Sequence, residues 1–186
     1  MLTHCKLSKK NQLDLLKLFV CQVTARTAAI IIGINYKTAQ LFYTKLRRII
    51  AENQSSDTPF QGFVEVDESY FGGTRKGERG RGAAGKIPVF GLLKRGGKVY
   101  ACMVKDTKSD SLIPIIKDCV KLDSIVYSDN YRSYNSLDVS GFHHFRINHK
   151  TDFALGENHI NGIENFWNQA KRILRKYNGI QLFPCS

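Results

Sequence analysis

The sequence has no C-x-x-C pair; its five cysteines (Cys5, Cys21, Cys102, Cys119, Cys185) are scattered and odd in number. That argues against a disulfide framework and against a structural zinc site, both of which need paired or closely spaced sets. Long apolar runs are also missing. A membrane span needs ~18–20 apolar residues, and the longest candidate, residues 28–32, falls far short. The opening Met1-Leu2-Thr3-His4-Cys5-Lys6 lacks the apolar core and small residues of a signal peptide, so an intracellular setting is expected: cytoplasm or nucleoid in a prokaryote, nucleus in a eukaryote. Acids are scarce as well, 16 against 28 Lys and Arg, a net charge of +12 over 186 residues. At 42% hydrophobic and 24% charged the chain is nonetheless globular in composition rather than a disordered basic tail. The excess charge points to polyanions, nucleic acid first; the plainer alternative is a merely soluble basic protein.

The charge is unevenly spread. Residues 1–56 hold nine Lys and Arg against Asp14 and Glu52, a net +7, and no proline occurs before Pro59. Ser8 can cap a first helix with Leu13, Leu16, Phe19 and Val20 on one face, and Thr24 a short second helix through Ala28, Ala29 and Ile32. Gly33 then breaks the pattern, and Asn35 can cap a third helix through Leu41, Phe42, Leu46, Ile49 and Ile50. A short helix, a glycine turn and a longer basic helix make a helix-turn-helix pattern. In that reading Asn35, Tyr36, Lys37, Thr38 and Gln40 face a major groove, while Arg26, Lys45, Arg47 and Arg48 lie near phosphates. The alternative is a three-helix packing module with a solvated basic face.

Residues 51–59 form a polar linker, and the periodicity changes after it. Residues 62–70 alternate as a strand, and residues 72–85 are rich in Gly, Arg and Lys, with Arg75, Lys76, Arg79 and Arg81. That segment is read as a DNA-contacting loop, or else as a solvated hairpin tip. Strands over residues 89–94 and 98–105 meet at Gly96-Gly97, and a helix capped by Ser109/Asp110 runs to about Lys121. Further strands are expected at 124–128 and 142–147, then a last helix from His159 to Tyr177 with Asn178-Gly179 as its cap. The order predicts an α/β fold with a mixed sheet over residues 57–186.

Asp67 lies within a run of Val, Phe and Tyr, where a carboxylate is costly unless paired or bound to metal. Asp129 directly follows Ile125-Val126-Tyr127-Ser128, at the carboxyl end of a strand, a usual ligand position in α/β sheets. Glu164 lies on the last helix, whose apolar stripe is Ile160, Ile163, Phe166, Trp167, Ala170, Ile173, Leu174 and Tyr177. Beside that stripe run Asn161, Glu164, Asn168, Lys171 and Arg175, and Glu164 and Lys171 share a face two turns apart. Singly, each acid is ordinary. Together they make a ribonuclease-H-like set of metal carboxylates, suited to two Mg²⁺ or Mn²⁺ ions about 4 Å apart acting on a phosphodiester.

The segment Val64-Glu-Val-Asp-Glu-Ser-Tyr-Phe-Gly-Gly73 resembles the first-acid motif of DDE transposases of the ISXO-like insertion-sequence branch, to which Merlin-type elements are related. Three further segments resemble that branch: the basic loop leading to Pro88-Val-Phe-Gly91, Tyr127-Ser-Asp-Asn-Tyr-Arg-Ser-Tyr134, and residues 159–172. The resemblance spans residues 60–179. It implies a ribonuclease-H-like fold, DNA cleavage and strand transfer, and a metal triad mapping onto Asp67, Asp129 and Glu164. It also implies a DNA role for Lys171, joined by Arg172 and Arg175. Some relatives use Asn as third ligand, which makes Asn161 an auxiliary candidate; His159 and Asn161 either touch DNA or cap the helix. The double-stranded partners implied are terminal inverted repeats and target DNA, and joining two ends implies a homo-oligomer.

Two features depart from the family pattern. No Cys-rich ribbon precedes residue 60, and the chain stops at Ser186 where relatives continue, so a truncated copy is expected. An inactive remnant that only binds DNA, and a nuclease that cuts without joining, are the alternatives. Glu65 and Glu68 are expected to point away from Asp67 in a solvated or salt-bridged role. Glu157 reads as a helix-dipole partner, His143, His144 and His149 as structural or DNA-side residues, and Trp167 as core.

Overall fold

The computed structural model describes residues 5–53, 59–72, 86–129, 133–134, 141–147 and 159–177. The Arg75–Arg81 loop, His149, Glu157 and the Asn178-Gly179 cap lie outside them. The chain divides into two compact units, residues 1–55 and 56–186.

The first unit holds helices α1 (Lys9–Val20), α2 (Ala25–Ile32) and α3 (Tyr36–Glu52). Each begins where a side-chain oxygen accepts an otherwise unpaired amide. Ser8 accepts from the Asn11 N–H, Thr24 from Thr27 and Asn35 from Lys37. Gly33 ends α2 in the left-handed region (φ 74°), where a side chain would be strained, and the turn enters α3 within three residues. Leu15, Ala28, Ala29, Ala39, Phe42 and Tyr43 form the core, with Phe19 edge-on to Tyr43 at 5.0 Å.

The buried faces of α1 and α3 differ from those expected. Gln12 and Leu15 face inward on α1, while Leu13, Leu16 and Val20 are exposed; on α3, Leu41, Ile49 and Ile50 are exposed. Apolar residues occupy several sides of both helices, so periodicity alone does not single out the side that meets its neighbours.

Among the described residues the second unit holds five strands: β1 (Phe63–Phe71), β2 (Ile87–Lys94), β3 (Val99–Met103), β4 (Ile125–Asp129) and β5 (His143–Ile147). Their order across the sheet is β3-β2-β1-β4-β5. The first three form an antiparallel meander, and β4 and β5 join parallel, which is the ribonuclease-H-like arrangement. Helix α4 (Ser109–Cys119) lies between β3 and β4 in the chain, and α5 (Asn161–Leu174) follows β5, ending in a short 3-10 turn (Arg175–Tyr177).

Strand alternation gives the sheet two different faces. Val64, Val66, Phe90, Leu92 and Val126 pack with Leu112, Ile113 and Ile116 of α4. On the other face Tyr127 and Ile147 cluster with Ile160, just before α5, and with Ile163 and Trp167 of α5. Gly91 permits this second layer: a Cβ there would lie 2.5 Å from the Trp167 ring and 3.1 Å from Ile163 Cδ1.

Two helix ends differ from expectation. Helix α4 has Lys108, not Ser109/Asp110, at its cap position; the preceding Asp106 carboxylate accepts from the Lys108 N–H (3.0 Å) and the Ser111 hydroxyl (2.7 Å). Helix α5 starts at Asn161 rather than His159, and its stripe leaves the sheet after Trp167, so Ile173 and Leu174 are exposed.

Candidate active site

The parallel pairing of the two central strands brings the first two acids together. Glu65 lies opposite Tyr127, and two residues further along the same register puts Asp67 level with Asp129. β4 ends at Asp129, while β1 runs on beside β2 to Phe71. Asp129 at the carboxyl end of β4 therefore stands beside the middle of β1.

Three carboxylates meet there. Asp67, Glu68 and Asp129 each offer an oxygen, and these oxygens all lie within 4.8 Å of one another. Burial holds the Asp67 carboxyl at a pKa of about 7, with the charges of Glu68, Asp129 and Glu164 adding to the effect and a hydrogen bond from the Glu68 backbone N–H opposing it. Glu164, on α5, is not one of these three clustered acids. The donor set is all oxygen and all carboxylate, which fits a hard divalent cation such as Mg²⁺ or Mn²⁺.

Glu68 and its support are what sequence reading missed. Its carboxylate belongs to the cluster, and the Tyr134 hydroxyl donates to Oε2 at 2.7 Å. Tyr134 is fully buried, and burial next to Glu68 holds its phenol well above the ordinary value, so it stays a donor. The turn carrying Tyr134 is tied to the loop before α4: the Ser133 hydroxyl donates to the Thr107 carbonyl (2.6 Å), and the Ser109 hydroxyl to the Ser133 carbonyl (2.8 Å).

Glu65 is also not placed as expected. It shares the Asp67 face, is buried, and pairs with Arg95 (Nε to Oε1, 2.9 Å). A salt-bridged role is correct for it and a solvated one is not. Positions 65 and 67 have the same strand parity, a signal present in the sequence; the position of Arg95 in the hairpin turn was the part without a signal.

The remaining candidates are dispersed. Lys171 is exposed, its ammonium 6.0 Å over the Phe71 ring at the end of β1. Arg172, Arg175 and Asn161 are exposed on α5 and the turn after it. In the first unit Lys37, Gln40, Arg47 and Arg48 are exposed and Thr38 half-buried. The Arg47 guanidinium lies over the rings of Phe19 (5.7 Å) and Tyr43 (5.9 Å). Trp167 is core, and His144 shares a hydrogen bond with Ser128 (2.8 Å). Among the described residues no helix is long and apolar enough to cross a membrane.

Residues 59–181 match the model of the ISXO2-like transposase domain. A protein of Haemophilus influenzae described as an uncharacterized transposase-like protein is 61% identical over 83 residues, which are 45% of this chain and 68% of that one. Two solved structures are similar at low identity. One is a chain of the simian T-cell lymphotropic virus intasome in complex with PP2A regulatory subunit B56 gamma (TM-score 0.41, 15% identity, 80% of this chain and 52% of that one). This chain thus spans about half the length of that one. The other is the Mos1 transposase in a paired-end complex with the left transposon end (TM-score 0.38, 10% identity, 95% of this chain and 74% of that one). The family match takes in well over half of the sequence, including all three motif acids, and the chain belongs to the ISXO2-like transposase family.

Proposed function

We propose that this chain cleaves DNA strands at the ends of a mobile element and joins them to a target, with Asp67, Asp129 and Glu164 holding two divalent ions, Mg²⁺ or Mn²⁺. The observation that carries this reading is the convergence of Asp67, Glu68 and Asp129 oxygens within 4.8 Å at the end of a central strand. Ions bound there would polarise a phosphodiester and activate the attacking oxygen. Asp67 on β1, Asp129 on β4 and Glu164 on α5 would hold the ions. Asn161 is an auxiliary ligand candidate at the same helix end.

The cationic residues do the binding. Lys171, Arg172 and Arg175 lie on the exposed side of the α5 region, where they engage strand phosphates. In the first unit, Lys37, Thr38 and Gln40 at the start of α3 present to a major groove, while Arg47 and Arg48 contact the backbone. The basic segment with Arg75, Lys76, Arg79 and Arg81 adds charge to the catalytic unit. Two element ends must be handled together, so the working form is a homodimer or larger.

The test uses the purified full chain with labelled duplex DNA ending in the element's terminal repeat. Wild type should nick it only with Mg²⁺ or Mn²⁺, and Asp67→Asn should lose nicking while keeping DNA affinity. Unchanged nicking by Asp67→Asn, or a wild type that binds and never nicks, overturns the proposal.

A further inference from the structure

We infer that Glu65 is a positioning residue for Glu164, acting through the amino end of α5; this rests on the reading of Asp67, Asp129 and Glu164 as metal carboxylates. Helix α5 has Ile160 at its cap position and no side-chain cap of its own. The first amides of a helix have no partner within it and must find one elsewhere. Here the partner comes from the sheet: Glu65 Oε2 accepts the Ile163 N–H at 2.9 Å, and the next residue is Glu164.

The other oxygen of Glu65 is held as firmly. Oε1 accepts Arg95 Nε at 2.9 Å, with His159 Nδ1 at 3.6 Å. Arg95 also donates to the His159 carbonyl, just before α5, and its guanidinium lies 4.0 Å from the centre of the Tyr127 ring on β4. One buried carboxylate therefore joins β1, the β2–β3 turn and the start of α5. Its charge is met by an arginine and by the positive end of a helix. Gly162 closes the contact: a Cβ there would lie 2.8 Å from Oε2 and 3.2 Å from Leu93 Cδ2, so the helix end sits directly against the carboxylate.

Glu65 stands two residues before Asp67 on the same face of β1. The separation of Asp67 from Glu164 is thereby fixed by one short path: Asp67, along the strand to Glu65, across a hydrogen bond to Ile163, and on to Glu164. An apolar residue at 65 would take away the acceptor of the Ile163 amide and of Arg95 Nε. A glutamine has one oxygen for two donors, so one arm of the bracket must open.

The experiment measures Mn²⁺ binding to the full chain by calorimetry, with thermal unfolding alongside, for Glu65→Gln, Glu164→Gln and the double variant. Glu65→Gln should weaken Mn²⁺ binding about tenfold, the scale seen when a residue that orients metal ligands is lost. Because Glu65 acts through Glu164, the double variant should bind no more weakly than Glu164→Gln alone. Wild-type affinity in Glu65→Gln, or losses that add in the double variant, overturns the inference. Gly162→Ala, which pushes the helix end off the carboxylate, should reproduce the loss, and is the deciding variant should Glu65→Gln fail to fold; normal Mn²⁺ binding by it would count against the inference. Asp67→Asn separates the two readings. If it loses Mn²⁺ binding while Glu65→Gln retains it, only the role of Glu65 falls; if Asp67→Asn binds Mn²⁺ normally, the metal-carboxylate reading falls first.

Discussion

In metal-free protein, replacing Asp67 with asparagine should stabilise the catalytic unit, and by an amount that grows with pH. Asp67 has its carboxyl raised from 3.8 to about 7 by burial and by the neighbouring acids. The unfolded chain releases this proton near pH 4 and the folded chain only near neutrality. The folded state therefore holds the extra proton between those limits, and stability falls as pH rises through them. At 1.36 kcal/mol per unit, the full penalty above pH 7 is about 4 kcal/mol, of which about 2.5 kcal/mol develops between pH 5 and pH 8. An asparagine side chain cannot ionise, so the advantage of Asp67→Asn should widen by that amount over the same interval.

Urea unfolding in EDTA at pH 5 and pH 8 measures it, followed by the fluorescence of the single tryptophan, Trp167, which is buried in the catalytic unit. With a slope of about 2 kcal/mol per molar urea, the gap in midpoint should grow by roughly 1 M. Adding Mn²⁺ at pH 8 should raise the wild-type midpoint and leave that of Asp67→Asn nearly unchanged, because only the carboxylate form binds the ion. A midpoint difference that stays constant from pH 5 to pH 8 would refute the reasoning.

Two other substitutions probe the layers around the site. Gly91→Ala forces a Cβ to within 2.5 Å of the Trp167 ring, so α5 must shift; a loss of about 1–3 kcal/mol in the urea midpoint, with altered Trp167 fluorescence, is expected, and a neutral result would show that the helix is not seated there. Tyr134→Phe removes the donor to Glu68 Oε2 and should cost about 1–3 kcal/mol at pH 8 by the same assay, whereas no change would mean that Glu68 finds water in its place.

The sheet and the helices were legible in the sequence because their periods are unlike: residues 62–70 alternate, while residues 160–177 repeat on a helical face. Asp67 and Asp129 were grouped through the ribonuclease-H-like arrangement, and the parallel pairing of β1 with β4 is what brings their carboxylates together. Glu65 was misread although its parity with Asp67 is plain in the sequence. What the sequence does not display is that Arg95, thirty residues later in a hairpin turn, returns to meet it. Glu68 is a different case. Its parity sets it on the α4 face, yet its carboxylate lies within 4.8 Å of those of Asp67 and Asp129. In the first unit, α1 and α3 carry apolar residues on several sides, so the contacts between the three helices, not the residues of any one, decided which side went in.

The strand order also dictates when the site can exist. The β1–β2–β3 meander joins neighbours in sequence, but β4 and β5 reach their places only by parallel crossovers, and α5 docks after both. Contacts between distant parts of a chain form late, after the entropy of closing the intervening loops has been met. A ribosome-bound chain that has emerged as far as β3 carries Asp67 with none of its partner acids on Asp129 or Glu164. The clustered carboxylates of Asp67, Glu68 and Asp129 come together only once β4 has been made and has paired with β1.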